Sequence, residues 1–391
     1  MRGFSFSAKF IIIGVLLFAL LSFNWDRTEL EARAFVVAVG IDISDEDENR
    51  FEVSMSIADV AAMEGGGGDA DVAVLRVADG ESLACAMGQI NAKICDTVYY
   101  GHTKAVVLGE SILADEALLR EVVDTLSRKN EINIKCIVMA AGEDAVAKDI
   151  LAAKPQEESL LGVYLSGFYN SNNVNAAANV VKLDLEGLIE GLRSTESAVI
   201  PRVKLEEEEE SKEVEISGVA VLRDFALAGH IDDDDMSGFL WLMEDASGAQ
   251  VAVESGDGHI TLLVQRSKAK LDFGESESDR RHLYCTIELR VEGSIEGARF
   301  MDDNLYDTEV MQQLQNDFAI KICEEIEDIL HIFQQDLGVD GFGLKEMLRK
   351  KNWQLYQAHM LQAEGDWQTV FEGTTFVVDV DVIIRNAGAV K

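Results

Sequence analysis

Few residues in this chain stand at spacings that do chemistry, and each such spacing points to a definite reaction or ligand. Ser267 and Lys270 form an S-x-x-K, the spacing at which a lysine amine can draw the proton from a serine hydroxyl. The pair falls in a predicted strand and has no partner motif, so it is read as a chance match. Asp45, Asp47 and Asn49 imitate the start of a calcium loop. Arg50 then holds the sixth position, which needs a glycine, and Ser56 stands where the bidentate glutamate belongs, so a hairpin turn is expected. Asp232–Asp235 are four adjacent carboxylates that cannot all face one cation, and they are read as a solvated loop. His102, His230, His259, His282, His331 and His359 show no ligand spacing. The five cysteines contain no C-x-x-C and are read mostly as buried free thiols. H-E-x-x-H, G-x-S-x-G and the Gly-Lys of a P-loop do not occur. The sequence therefore assigns no catalytic residue, no metal ligand and no cofactor, and a hydrolase would need nucleophile–base geometry that these spacings do not supply.

The elements that would position any site alternate between strands and helices. Ala34–Ile43 is a dense β-branched run, and Phe51–Asp59 alternates as its hairpin partner across the acidic turn Ser44–Arg50. Val72–Ala78 follows as a strand beyond the flexible Gly65–Gly68 loop. Further expectations are a helix over Glu81–Cys95, a strand over Thr103–Leu108, and an amphipathic helix over Ile112–Lys129. Ile132–Ala140 reads as a strand, Glu143–Ala153 as a helix ended by Pro155, and 171–180 as a loop. Glu206–Glu210 repel one another, so an extended connector and a domain boundary are placed over Leu205–Glu215. Strands are expected over 215–223, 259–272, Leu283–Val291 and Phe376–Ile384. Thr308–Gln335 carries an apolar stripe from Val310 to Phe333 and ends at Gly338. The fold class is α+β, with three mixed α/β domains in series over 26–204, 212–281 and 282–391 behind a hydrophobic segment at 1–25.

That leading segment starts with Arg2 and Lys9 and then runs uncharged from Phe10 to Trp25. At about 1.5 Å per residue these 16 residues span about 24 Å as a helix, short of the roughly 30 Å hydrocarbon core. Phe4, Phe6 and Ala8 lengthen the span if Lys9 snorkels. An export signal or signal-anchor is expected, with the remainder on the extracytoplasmic side. The 391 residues carry 34 Lys and Arg against 71 Asp and Glu, a net charge of -37. Such a chain repels phosphate, which argues against nucleic-acid binding and against a polybasic grip on anionic lipid.

Several motifs in order resemble the Ger(x)C family, the C subunit of nutrient germinant receptors in spore-forming bacteria. Trp25-Asp26-Arg27-Thr28-Glu29-Leu30 follows the leader, and Val39-Gly40-Ile41-Asp42 closes the first strand. Tyr100-Gly101-His102-Thr103-Lys104 with Val106–Glu110 is similar to the family's central strand, and Ile200-Pro201-Arg202-Val203 to the end of its N-terminal half. Gly338-Val339-Asp340-Gly341-Phe342-Gly343, Trp353, Asp366-Trp367, Phe371 and Val378–Arg385 follow its ending. The family is typically lipidated on a cysteine just before W-D-R, and here that position is Asn24, preceded by Phe23. Without that thiol no thioether to diacylglycerol forms, so a lipoprotein-like placement through an uncleaved signal-anchor is expected.

The resemblance implies a non-enzymatic subunit, membrane-tethered on the extracytoplasmic face of the inner spore membrane. Its implied partners are the integral-membrane A and B subunits, and its implied task is to help convert nutrient binding into germination by protein contacts. The alternative is a membrane-anchored extracytoplasmic substrate-binding protein that captures a small nutrient between domains. Roles for Trp25, Asp26, Arg27, Gly101, His102, Asp340, Gly341, Gly343 and Trp367 stay open. Gly341 and Gly343 are expected to serve a turn needing positive φ, and Trp353 and Trp367 to pack.

Overall fold

The computed structural model describes residues 33–45, 47, 50–59, 72–129, 131–142, 145–153, 160–170, 181–207, 212–243, 246–255, 258–275, 282–299 and 307–386. The hydrophobic leader, Asn24, the W-D-R motif and the expected loops at Gly65–Gly68 and 171–180 lie outside these residues. Among the described residues, no helix is long and apolar enough to cross a membrane.

The first sheet grows from the β-branched run. β1 (Arg33–Ile43) pairs antiparallel with β2 (Phe51–Ala58), and β2 with β3 (Ala73–Gly80). The turn between β1 and β2 closes through Ser44 N–H to Arg50 O at 2.8 Å, the hairpin that replaces a calcium loop. On the other edge of β1 lie, in parallel, the short β4 (Thr97–Tyr99) and then β5 (Ala105–Leu108). Beyond them come β6 (Ile137–Ala141) and β7 (Ser197–Glu207), also parallel. Every residue of β5 and β6 is buried, because a parallel sheet with helices on both faces leaves no side for polar residues. Helices Leu83–Asn91, Glu116–Arg128 and Leu185–Ser194 cover one face, and Ala147–Ala152 and Leu161–Asn170 the other. The long helix expected over Ile112–Lys129 is broken at Asp115, whose carboxylate accepts from Ala117 N and Leu118 N and starts the second piece.

The strands on either side of the glutamate run pair with each other. β7 pairs antiparallel with β8 (Lys212–Arg223), with Glu206 opposite Glu213 and Glu207 opposite Lys212; residues 208–211 of the expected connector lie outside the described residues. β8 pairs in turn with β9 (Ala226–Ile231), a strand the sequence pattern does not reveal. Asp224 and Phe225 form the two-residue turn between them with φ of 50° and 64°, a backbone that favours Asn-Gly and costs an ordinary residue about 1–2 kcal/mol.

The expected middle body over 212–281 is thereby divided between two sheets. Its first strands extend the first sheet. Its last strands, β10 (Gln250–Ser255) and β11 (Gly258–Glu275), join β12 (Leu283–Arg299) and β13 (Thr375–Asn386) in the second. β11 alternates buried and exposed residues along 18 positions, with an irregular register between Val264 and Arg266. The connection from β12 to the parallel β13 is made by helix Thr308–His331, a π turn over Ile332–Asp336, and helices Leu344–Lys351, Trp353–Gln362 and Trp367–Glu372. Leu314, Phe318, Ile322, Ile326, Ile329 and Phe333 recur every three or four residues and lie against the inner face of the second sheet. The Asp232–Asp235 segment is a short 3-10 turn leading into helix Met236–Leu242, and Asp233 accepts from Ser217 Oγ–H and Gly218 N–H.

The two sheets meet at β7–β9. Ala198, Ile200, Ala220 and Leu222 face the core under the first sheet's helices. Val199, Val219, Val221 and Ile231, on the opposite face, belong to the core that holds Phe239, Trp241, Phe318 and Phe333. Each of the larger of these buried side chains is worth about 1.5–3 kcal/mol, and neither face of the β7–β8 pair can be exposed without losing several of them. We therefore predict one unfolding transition for both halves. Val221→Ala, which empties the C-terminal face, should lower the urea midpoint of tryptophan emission and far-UV ellipticity together. Separate midpoints for the two probes would contradict the shared core.

Candidate functional site

Four of the sequence-singled residues converge on one buried knot. After the π turn the chain reaches Asp340, 4% exposed, whose carboxylate accepts four N–H groups. Oδ1 takes Phe342 N at 3.2 Å and Leu344 N at 3.0 Å, and Oδ2 takes Lys345 N at 2.8 Å and the Trp367 indole N at 3.0 Å. The aspartate thus satisfies the first free N–H groups of helix Leu344–Lys351 and anchors a second helix through Trp367. Burial pushes its carboxyl above the ordinary carboxylate range, against the pull of these donors. The two glycines act differently from each other. Gly343 has φ of 71°, as a turn glycine should. Gly341 has no positive φ; a Cβ there would lie 2.2 Å from Phe333 Cε1, so close approach to the ring is its requirement.

The same knot joins the two halves. The Asp340 carbonyl accepts from Ser197 Oγ–H at 3.0 Å, at the start of β7, and Arg223 at the end of β8 reaches the Gly338 carbonyl at 3.4 Å. Trp367 packs as expected, at 7% exposure. Trp353 does not: it is 51% exposed and stacks on Tyr356 with ring centroids 5.5 Å apart. Helix Trp353–Gln362 follows the Asn352 cap directly, and its first residue stays on the rim because Leu355 and His359 take the buried positions.

A second buried carboxylate closes the other side of the first sheet. Asp42, the acidic end of the β1 motif, is 3% exposed and accepts Ala147 N at 2.8 Å on Oδ1 and Lys148 N at 3.0 Å on Oδ2. It stands opposite Glu52 in the β1–β2 register, and Lys148 Nζ pairs with Glu52 at 2.8 Å. Burial, opposed by the two backbone donors and raised further by Glu52, pushes its pKa from 3.8 to about 6. A lone charged residue inside an otherwise apolar strand is the sequence signal for this lock.

Gly101 and His102 lie at the β4–β5 connection. A Cβ on Gly101 would fall 2.4 Å from the Tyr99 hydroxyl oxygen, so the residue admits the tyrosine. His102 is exposed and meets Phe35 and Tyr99 edge-on at 5.3 and 5.5 Å, with the Arg33 guanidinium 5.1 Å from the Tyr99 ring centre. This aromatic group borders the start of β1, where the chain arrives from its N-terminal segment. Trp25, Asp26, Arg27 and Asn24 are not among the described residues, so they are not placed beside it.

Reactive geometry is not assembled from the residues tested in the sequence. Ser267 is buried and Lys270 exposed on opposite faces of β11, and Lys270 pairs with Asp272 and with Glu288 at 3.1 Å. Only two of the five cysteines, Cys136 and Cys285, are buried, which corrects the expectation for most of them. Burial pushes both thiols up to about 12, far from thiolate chemistry at neutral pH. Cys85 and Cys95 are exposed because they fall on the outer side of a helix and in the connection after it. Among the described residues no three His, Cys, Asp or Glu are grouped to hold a metal ion. Arg202, singled out only as part of a motif, is buried on β7 and donates to Asp232 Oδ1 at 2.6 Å.

Comparison with known proteins places both halves. Residues 26–205 match the family described as spore germination protein N-terminal domain, and 217–388 the family described as spore germination B3/GerAC like, C-terminal. The putative spore germination protein YfkR of Bacillus subtilis (strain 168) is 24% identical over 364 residues, covering 88% of this chain and 91% of that protein. Spore germination protein KC of the same organism is 23% identical over 351 residues, covering 82% of each. The crystal structure of the GerBC protein shares the fold at a TM-score of 0.59 and 16% identity, over 89% of this chain and 97% of that one.

Two measurements test the buried carboxylates. Trp367→Phe removes one of four donors to Asp340 and should cost about 1–2 kcal/mol in urea unfolding. Asp340→Asn turns an amide N–H₂ toward N–H donors and should cost about 3 kcal/mol or more; equal, negligible costs would refute the knot. For Asp42 the native pKa lies above the unfolded one, so the folded state holds the proton to higher pH. Stability contributed by this group should fall as pH rises from about 4 to about 6, by up to about 3 kcal/mol, and then level. Asp42→Asn should lack that slope, and an identical pH profile in the variant would contradict the assignment.

Proposed function

The chain belongs to the GerAC-type spore germination proteins, and from that premise we propose that it is the non-enzymatic C-type subunit of a spore nutrient germinant receptor. Its N-terminal apolar segment tethers it to the inner spore membrane, with the folded body on the extracytoplasmic face. Its partners are the integral-membrane A and B subunits, and it acts by touching them, not by transforming a molecule. The observation that carries this reading is the match of both halves, in order, to spore germination families across residues 26–388.

The geometry supports a contact role. The two most buried aspartates, Asp42 and Asp340, are occupied by backbone and indole N–H groups, so they act as structural locks. A body locked in this way presents fixed surfaces to neighbours, which keeps the ordering cost of association low. With a net charge of -37, its encounters are steered toward basic partner surfaces, while affinity comes from a few apolar or aromatic anchors such as the half-exposed Trp353.

Deletion of the gene tests the proposal. Spores lacking it should lose the response to at least one nutrient germinant while still germinating with a non-nutrient trigger, and the intact gene should restore the response. A normal response to every nutrient, in spores lacking related copies as well, would contradict it.

A further inference from the structure

The second sheet ends in an open edge. β13 is the last strand in the order β10–β11–β12–β13, and among the described residues it is paired with β12 on one side only. It is the longest of the terminal strands, 12 residues against six in β9 and β10 and eight in β3. Ile384 N–H donates to Gln315 Oε1 at 3.1 Å and so points away from β12, toward a helix side chain that stands where a neighbouring strand would be. Alternate N–H groups of a strand point the same way, so those of Phe376, Val378, Val380 and Val382 face the same open edge.

This edge has few of the usual protections. Thr375–Ile384 contains no proline and no lysine. Phe376, Val378 and Val380 pack against the core of the second half yet stay partly exposed, and Val377 on the other face is 48% exposed. The outward row carries two carboxylates, Asp379 and Asp381. Asp379 stands opposite Glu288 on β12, and Glu288 already pairs with Lys270 on β11 at 3.1 Å. Arg290, opposite Asp381, pairs with Glu292 at 3.5 Å. Neither aspartate joins an ion pair among the described residues.

The charges select the occupant. A second copy paired antiparallel about Val380 would set Asp379 of each chain against Asp381 of the other, and like charges directly opposite are destabilising. A strand with lysine or arginine at alternate positions gains two cross-strand pairs instead, the arrangement that Lys270 and Glu288 already make within the sheet.

We propose that the edge of β13 over residues 375–382 takes an added strand from a partner protein, an extended segment that alternates basic with β-branched apolar residues. Its backbone continues the ladder, its basic side chains meet Asp379 and Asp381 on the outer face, and its apolar side chains cover Phe376, Val378 and Val380. This deepens the contact role proposed above by naming a surface for it, and rests on that reading only for the existence of a partner.

Fluorescence anisotropy of a labelled TKVKVT peptide, titrated with the full chain in detergent at about 0.15 M salt, tests this. The peptide should bind saturably. TEVEVT, and TKVKVT with its ladder-facing amides N-methylated, should each bind at least about tenfold more weakly. The double variant Asp379→Lys, Asp381→Lys changes only exposed side chains and should reverse the preference toward TEVEVT, which general attraction to a net charge of -37 does not do. Absence of saturable binding, equal binding of the N-methylated peptide, or an unchanged preference in the double variant would overturn the proposal. A dimer of the chain in sedimentation that Val380→Pro disperses would give the edge to a second copy and overturn it as well. The spore phenotype is read independently, so loss of a nutrient response without peptide binding would sink the edge and leave the receptor role standing.

Discussion

Everything in this molecule depends on a strand segment, the body of β7 and β8 with the end of β9, that packs into one core on each face. Strands β7, β8 and β9 belong to the first sheet by hydrogen bonding, yet Val199, Val219, Val221 and Ile231 seal the core of the second half. A strand pair exposed on one side is common in antiparallel sheets; here the second side is closed by Phe239, Trp241 and Phe333. The consequence is mechanical: the halves have no apolar face of their own to present to solvent, so they behave as one body. Such coupling suits a protein that works through contacts, because a displacement at one surface cannot be absorbed by a loose linker.

Polar locks refine what the apolar seal begins. Asp340 gathers a helix start, the Trp367 indole and, through its own carbonyl, Ser197 of the first sheet. Asp42 does the equivalent work for helix Ala147–Ala152 beneath β1 and β2. Each is expensive to bury and is stabilised only while every donor stays in place, which makes both positions intolerant of substitution without giving either a chemical task. The aspartates of two of the motifs that mark the family resemblance are thus bound into the framework by backbone and indole donors.

Much of the fold is legible in the residues. The alternation of Phe51–Ala58 and of β11, and the apolar stripe from Leu314 to Phe333, follow directly from burial on one face. Other parts are hidden for physical reasons. The helices between Leu344 and Glu372 are short pieces held by tertiary contact, and in Trp353–Gln362 the exposed Trp353 and Leu361 blur the polar face that would betray the period. β9, ALAGHI, is short, holds Gly229 in its middle and buries only Ile231, so its pattern gives little strand signal. The glutamate run suggests an extended linker by its like charges alone, whereas the pairing of β7 with β8 on either side of it depends on the apolar residues of both strands. At the knot, the sequence places Asp340, Gly341, Gly343 and Trp367 in one region of the chain, but it says nothing of Ser197, 143 residues earlier, whose hydroxyl completes the joint.

Native-state hydrogen exchange at individual amides tests the central claim most directly. If β7–β9 is the seam of one cooperative body, the amides of β8 should exchange only through global unfolding, with the same free energy as the most protected amides of β6 and β12. Exchange of β8 at markedly lower free energy than β6 or β12, through a partial opening that frees one half from the other, would contradict it.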